Sequence, residues 1–147
     1  MEIRSILVVH GPNLNLLGTR EPSIYGTATI DDHVETVRER AGRDVTVDAF
    51  QSNSEAEIVG AVQGAKNRYD AVIINAGALT HYSWALHDAL RSFSGVAVEV
   101  HLSNPTARED FRHVSVLAGV VAGTISGFGG LGYALAVDAV MGAGRDR

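Results

Sequence analysis

Residues 3–12, IRSILVVHGP, decide how the rest of the chain is interpreted. The run from Ile3 to Val9 is almost continuously apolar, and His10-Gly11-Pro12 ends it abruptly. A short apolar run that lacks polar alternation is typical of a strand buried on both faces of a sheet. The chain is therefore predicted to begin with a strand that helices cover on both sides.

Further apolar runs, separated by helical signals, follow at intervals along the sequence. The four predicted strands after the first are Val45 to Phe50, Ala71 to Asn75, Val96 to Val100 and Gly119 to Ile125. Thr29 with Asp32, and Ser54 with Glu57, fit the capping box that starts a helix. Two more helices are predicted, one over Tyr82 to Phe93 and one from about Leu131 to Met141.

Strands and helices thus alternate to the end of the chain, which predicts a parallel sheet with right-handed crossovers and helices on both faces. With five strands, we expect an α/β fold of flavodoxin-like order that forms a single domain over residues 1–147. The last helix is apolar almost all round, more than a sheet-covering helix needs, which suggests a subunit interface.

Composition narrows the classes of function. The net charge of -5 argues against a nucleic-acid or acidic-membrane surface. No apolar stretch approaches the roughly 18 residues of a membrane span, and the start of the chain does not resemble a signal peptide, so a cytoplasmic location is expected. There is no cysteine and no histidine pair beside a third ligand, so no metal site is expected.

In folds of this class ligands bind outside the carboxyl ends of the strands, and the loop after the first strand is long enough to be a lid. Gly18 and Gly26 could absorb hinge motion over residues 18–26, with Arg20 and Tyr25 between them. A guanidinium near a phenol favours the phenolate, which could act as a base. The alternative is that Tyr25 packs and Arg20 is solvated, and spacing alone does not decide between them.

The fourth strand places a carboxylate and an imidazole on one side of the sheet. Glu99 and His101 are two residues apart, and side chains alternate along a strand. A glutamate that orients a histidine and favours its protonated form would equip His101 as a general acid. A purely structural pair at the rim of the core is the alternative.

Other polar residues follow the strand ends. Asn75 and His81 could bind a hydroxyl-rich or anionic ligand beside a helix N-terminus, unless they belong to an ordinary capped turn. Arg108 and Arg112, four residues apart, either clasp an acidic substrate or solvate a surface. The glycines of residues 127–132 match a dinucleotide fingerprint, but no strand follows, so they are interpreted as a tight turn and close packing.

Four separated segments together resemble one family, the type II 3-dehydroquinate dehydratases (type II dehydroquinases). They are HGPNLNLLGTREPSIYG (10–26), NAGALTHYSWALHDAL (75–90), EVHLSN (99–104) and AREDFR (107–112). The resemblance implies a flavodoxin-like subunit, a dodecamer of four trimers, and no metal or organic cofactor. It also implies the anti elimination of water from 3-dehydroquinate to 3-dehydroshikimate through an enolate, in the shikimate or quinate pathway.

The resemblance also implies roles for individual residues. Tyr25 resembles the base, Arg20 the cation that keeps it ionised, and Asn13 the holder of a water on the enolate. His101 resembles the acid that protonates the departing hydroxyl, with Glu99 behind it. Substrate-binding roles are implied for Asn75, His81, Arg112, the amides of Leu102 and Ser103, Arg108 on the lid side, and Asp88 from a neighbouring subunit.

Four positions depart from the family's usual pattern: Tyr82, His87, Thr106 and Val114. None is a proposed catalytic residue, so rate or subunit packing is in question and the reaction class is not. Two rival interpretations are a flavodoxin-type module that binds a flavin or nucleotide, and a diverged paralogue that is inactive or acts on another cyclic hydroxy acid.

Overall fold

The chain is described by a computed structural model over residues 1–145. Its sheet contains the strands β1 (Ser5–His10), β2 (Thr46–Gln51), β3 (Ala71–Asn75), β4 (Val96–His101) and β5 (Gly123–Ser126). Every neighbouring pair is parallel, and the order across the sheet is β2-β1-β3-β4-β5. This is the flavodoxin-like order, so the predicted fold class is confirmed.

Helices cover both faces of the sheet. They are α1 (Pro22–Tyr25), α2 (Ile30–Ala41), α3 (Glu55–Ala65), α4 (Trp84–Arg91) and α5 (Leu131–Arg145). One core cluster joins α2 and α5 to one face through residues such as Val37 and Val137, and a second joins α3 and α4 to the other through Ile58 and Leu86. Both faces of β3 and β4 are buried, which accounts for their continuous apolar sequence.

The parallel register brings the strand ends to one edge. His10 at the end of β1 pairs with Gln51 of β2 and with Asn75 of β3. His101 at the end of β4 pairs with Ser126 of β5. The polar residues that follow these strands therefore meet at the carboxyl edge of the sheet, as the sequence predicts.

Several helix and strand boundaries differ from the predicted ones. The third long helix begins at Trp84 rather than Tyr82, because the Ser83 hydroxyl accepts from the backbone N–H of Leu86 and caps it there, and α4 ends at Arg91. A 3-10 helix, Gly77–His81, precedes it. The last strand begins at Gly123, not Gly119, and α5 continues to Arg145.

The loop after β1 is more structured than its sequence indicates. Leu14–Leu16 forms a 3-10 helix, with Leu14 and Leu17 buried in the core, and α1 follows. Thr29 and Asp32 form the predicted capping box of α2. The second box is incomplete, because Ser54 caps α3 but the carboxylate of Glu57 accepts from the Ser52 hydroxyl instead. None of the helices within residues 1–145 combines the length and apolarity that crossing a membrane requires.

Candidate active site

A cavity of about 220 Å³ opens at the carboxyl edge of the sheet, between the ends of β1, β3 and β4 and the segments that follow them. Residues predicted from widely separated parts of the sequence line it together. They are Asn13, Arg20, Tyr25, Asn75, His81, His101, Leu102, Ser103, Arg108 and Arg112. The edge of the sheet thus gathers most of the predicted site into one pocket.

Tyr25 lies at the end of α1, between two cations. The guanidinium carbon of Arg20 is 4.9 Å from the centre of the Tyr25 ring, and that of Arg108 is 5.2 Å from it. Both guanidinium groups are close enough to the ring for cation–π contacts. The sequence pointed to Arg20 alone as this cation, so the proximity of Arg108 is an addition.

His101 and Glu99 are in direct contact at the end of β4. His101 Nε2 and Glu99 Oε2 are 2.6 Å apart, and Glu99 is fully buried. Because Glu99 engages Nε2, Nδ1 is the ring nitrogen that remains for proton transfer in the cavity. The alternation of side chains along the strand correctly placed the two groups together.

Three hydroxyl groups hold the Glu99 carboxylate in place. Thr80 donates to Oε2 at 2.6 Å, Ser115 contacts both oxygens at 3.0 and 2.9 Å, and Thr124 donates to Oε1 at 3.2 Å. Burial raises the pKa of Glu99, and the contacts with His101, Thr80 and Ser115 lower it. The lowering contacts together outweigh burial, so the net pKa lies below its usual value. Glu99 therefore remains a carboxylate beside the imidazole.

Asn75 and His81 are oriented by the backbone around them. Asn75 Oδ1 accepts from the backbone N–H of Gly77 at 3.2 Å. His81 Nδ1 lies 2.7 Å from the carbonyl oxygen of Val114, and the ring meets Phe111 edge to face. Asn75 Nδ2 donates to the hydroxyl of Tyr133 at 3.2 Å, and Nε2 of His81 is left for a ligand. The backbone that approaches the cavity here belongs to the 3-10 helix Gly77–His81 rather than to the N-terminus of α4.

The two arginines after β4 reach the cavity for a different reason from the predicted one. They do not share a face of an α-helix, since Arg108 follows the 3-10 turn Pro105–Ala107 and Arg112 ends a second one, Asp110–Arg112. Arg108 donates to the Ser103 hydroxyl at 3.2 Å, and Arg112 forms an ion pair with Glu109. These contacts fix both guanidinium groups at the cavity wall.

Asp88 is the predicted site residue that lies apart from this cavity. It is on α4, with its side chain 80% exposed and in contact with His87. Nothing within the subunit brings it to Tyr25 or His101. Its expected role, as a residue given to a neighbouring subunit's site, stays a prediction.

Some cavity residues were not found from the sequence. Pro12, Leu14, Pro105 and Phe111 line the wall, and their apolar side chains carry no chemical signal.

The glycine-rich turn before α5 behaves as predicted: Gly127 and Gly129 have φ angles of 92° and 58°, and a Cβ on Gly130 would lie 3.1 Å from the His33 ring.

The cavity at the edge of this parallel sheet holds a phenol beside two guanidinium groups and an imidazole held by a carboxylate. These groups define an enzyme that works by acid–base catalysis. Within residues 1–145 no three histidine or carboxylate side chains cluster as a metal site would require. A family model described as Dehydroquinase class II matches residues 4–141. The chain belongs to the class II dehydroquinase family.

Named relatives support this assignment over nearly the full length. The chain is 53% identical over 138 residues to the 3-dehydroquinate dehydratase of Hyphomonas neptunium, covering 94% of this chain and 93% of that one. It is 51% identical over 137 residues to the one from Ruegeria pomeroyi, covering 92% of each. The solved type II dehydroquinase from Propionibacterium acnes matches with a TM-score of 0.89 at 42% identity, covering 96% of this chain and 98% of that one.

Proposed function

We propose that this protein is a 3-dehydroquinate dehydratase of the shikimate or quinate pathway. It eliminates water from 3-dehydroquinate, in the anti sense, to give 3-dehydroshikimate by way of an enolate. The observation that carries the proposal is the pairing, in one small cavity, of Tyr25 between Arg20 and Arg108 with His101 braced by Glu99. Family membership and the names of the relatives support the same reaction.

Tyr25 is the proposed base. Its phenolate oxygen takes the proton from the carbon next to the ketone, and the electron pair of the broken C–H bond forms the enolate. The guanidinium groups of Arg20 and Arg108 stabilise the phenolate that this step requires. Asn13, which lines the cavity, would hold a water that donates to the enolate oxygen.

His101 is the proposed acid. As the enolate collapses, the C–O bond of the departing hydroxyl breaks, and the hydroxyl leaves as water with a proton from Nδ1 of His101. Glu99 contacts Nε2 of the same ring, which fixes the ring plane and leaves Nδ1 for the transfer. The carbon–carbon double bond of the product forms in this step.

The substrate carboxylate and hydroxyl groups would be bound by the remaining cavity residues. These are Asn75, His81, Arg112 and the backbone amides of Leu102 and Ser103, with Arg108 on the side of the lid. Every group that moves a proton is a side chain, so the proposed reaction needs no metal or organic cofactor. We also propose that the protein works in the cytoplasm.

A covalent imine with the ketone is not part of the proposal. Such a route needs a lysine amine in the pocket, and Lys66 is the only lysine of the sequence. It follows α3 and is exposed at the opposite edge of the sheet, where β3 begins. The enolate route through Tyr25 is the one that these side chains can support.

Residues 1–147 are proposed to form a single catalytic domain with residues 18–26 as its lid. The lid carries Arg20 and Tyr25, and none of the residues of α1 is buried, although Tyr25 packs against the edge of the core, so this helix can move at small cost to the core. The functional assembly is proposed to be a dodecamer of four trimers. Within a trimer, Asp88 would reach the cavity of a neighbouring subunit.

The reaction can be followed directly, because elimination creates a conjugated enone that absorbs in the ultraviolet. With 3-dehydroquinate we expect turnover by the wild-type protein, and a loss of about 100-fold or more in kcat for Tyr25→Phe and for His101→Ala. Tyr69→Phe is the matched control, since that hydroxyl contacts Asp48 away from the cavity. No product at high concentrations of wild-type enzyme would reject the proposal.

A further inference from the structure

A buried tyrosine of α5 contacts one of the side chains that line the cavity. Tyr133 lies on α5 and is fully buried. Its hydroxyl lies 3.2 Å from Nδ2 of Asn75 and 2.8 Å from Nε2 of His10. Of these residues, Asn75 lines the cavity and Tyr133 does not. The phenol hydroxyl therefore stands directly behind a side chain that the substrate is proposed to touch.

The direction of each hydrogen bond in this chain can be worked out from the backbone. A backbone N–H can only donate, so the contact with Gly77 identifies the Asn75 atom facing it as Oδ1. Asn75 Nδ2 then donates to the Tyr133 oxygen. The hydroxyl proton of Tyr133 is left to be donated to Nε2 of His10, which must be unprotonated.

The surroundings of Tyr133 and His10 keep these hydrogen bonds in one direction. Burial, followed by the charge of His33, lowers the pKa of His10 to about 4, so its ring is neutral near pH 7. Burial raises the pKa of Tyr133, so its proton is retained. The His33 ring stacks on the Tyr133 ring with centres 4.7 Å apart and planes 8° apart, which fixes the phenol in place.

We propose that Tyr133 is a positioning residue for Asn75. Its hydroxyl and the Gly77 N–H hold the two ends of the Asn75 carboxamide, so that the second amide hydrogen and the second carbonyl lone pair face the cavity in a fixed direction. This inference rests on the proposed function, because it assigns Tyr133 to the binding of the same substrate. The role reaches the site from the last helix of the chain.

The first test is Tyr133→Phe, which keeps the ring and removes the hydroxyl. We expect kcat/KM for 3-dehydroquinate to fall about 10-fold, mainly through KM, since a misdirected binding group weakens ground state and transition state alike. Tyr69→Phe, which removes a hydroxyl bonded to Asp48 outside the cavity, should change neither constant. Wild-type kinetics for Tyr133→Phe would overturn the proposal.

A double-mutant cycle separates positioning from a general structural effect. If Tyr133 acts through Asn75, then Tyr133→Phe in an Asn75→Ala background should change kcat/KM by less than about 2-fold. Equal losses in both backgrounds would overturn the proposal. Should Tyr133→Phe not fold, His10→Leu serves in its place, because it removes the acceptor that orients the Tyr133 hydroxyl, and it should raise KM in the same way.

A crystal structure of Tyr133→Phe, or of His10→Leu where that variant replaces it, provides a readout that needs no activity. We expect the Asn75 carboxamide to rotate from its wild-type orientation, and an unchanged orientation would contradict the inference. The failures can be told apart. A wild-type protein inactive on 3-dehydroquinate rejects the proposed function, whereas an active wild type with an unaffected variant rejects only the role of Tyr133.

Discussion

At the scale of single residues, His10 should make the stability of the protein depend on pH. Its pKa is lowered by burial and by His33 from 6.5 to about 4 in the folded chain. Between these pH values the unfolded chain binds the proton and the folded chain does not. The free energy of unfolding is therefore highest above about pH 6.5 and declines as the pH falls toward 4. The decline attributable to His10 is roughly 3 kcal/mol.

Chemical denaturation at pH 7 and at pH 4.5 measures this effect. The His10→Asn variant keeps an acceptor for the Tyr133 hydroxyl but cannot titrate, so its free energy of unfolding should depend less on pH. Some dependence should remain, because burial also lowers the pKa of His33. A variant with the same slope as the wild type would show that His10 is not the group responsible.

Residue-level prediction from sequence succeeded where the backbone alone fixes the geometry. Alternation along one strand is enough to place Glu99 beside His101. The hydroxyl groups that hold Glu99 come from Thr80, Ser115 and Thr124, in three different segments, and only the tertiary fold brings them together. The contact between Tyr133 and Asn75 was missed for the same reason.

At the scale of elements, Gly26 should control the position of the lid. It ends α1, directly after Tyr25, with φ 80° and ψ -173°, a conformation that other residues avoid. An added Cβ would meet nothing within 4 Å, so the cost of Gly26→Ala is purely conformational. We expect kcat/KM to fall about 10-fold as α1 shifts, with little change in Tm because no residue of α1 is buried.

Gly60→Ala is the matched control for this substitution. Gly60 lies within α3, its added Cβ also meets nothing within 4 Å, and its φ is not positive. Alanine there should stabilise the protein by about 1 kcal/mol and leave the kinetics unchanged. Unaltered kinetics for Gly26→Ala in the ultraviolet assay would contradict a role for this hinge.

Element boundaries were less predictable than element types. The pattern of apolar residues identified all five strands and the four long helices, because burial against a sheet imposes their periods. It could not locate the start of α4, where the Ser83 cap overrides the apolar pattern, or find α1 inside the lid. Short segments such as α1 have too few contacts to leave a periodic signal.

At the scale of the whole molecule, the topology follows from the alternation of strands and helices, since crossovers between parallel strands are right-handed. The assembly does not follow from one subunit. Three large apolar side chains are exposed near His81 and Asp88: those of Tyr82, Trp84 and Val114. Their exposure supports the proposed contact between subunits. Two of these, Tyr82 and Val114, are among the positions that depart from the family's pattern.

Subunit mixing tests the shared site. We expect Asp88→Ala and Tyr25→Phe each to be nearly inactive alone, and sedimentation to show a dodecamer for both. Assemblies co-refolded from the two variants should recover activity, because an Asp88→Ala subunit keeps Tyr25 and can receive Asp88 from its neighbour. Activity no greater than the sum of the separate variants, or a monomeric wild type, would contradict the proposed assembly.

The central claim is that Tyr25 removes the proton and His101 expels the hydroxyl within one cavity. Proton NMR in D2O measures the two steps separately, through exchange of the hydrogen next to the ketone of 3-dehydroquinate and through loss of water. We predict that His101→Ala still exchanges that hydrogen faster than the enzyme-free control while product formation is lost, and that Tyr25→Phe does neither. Exchange by Tyr25→Phe at the wild-type rate would contradict the account.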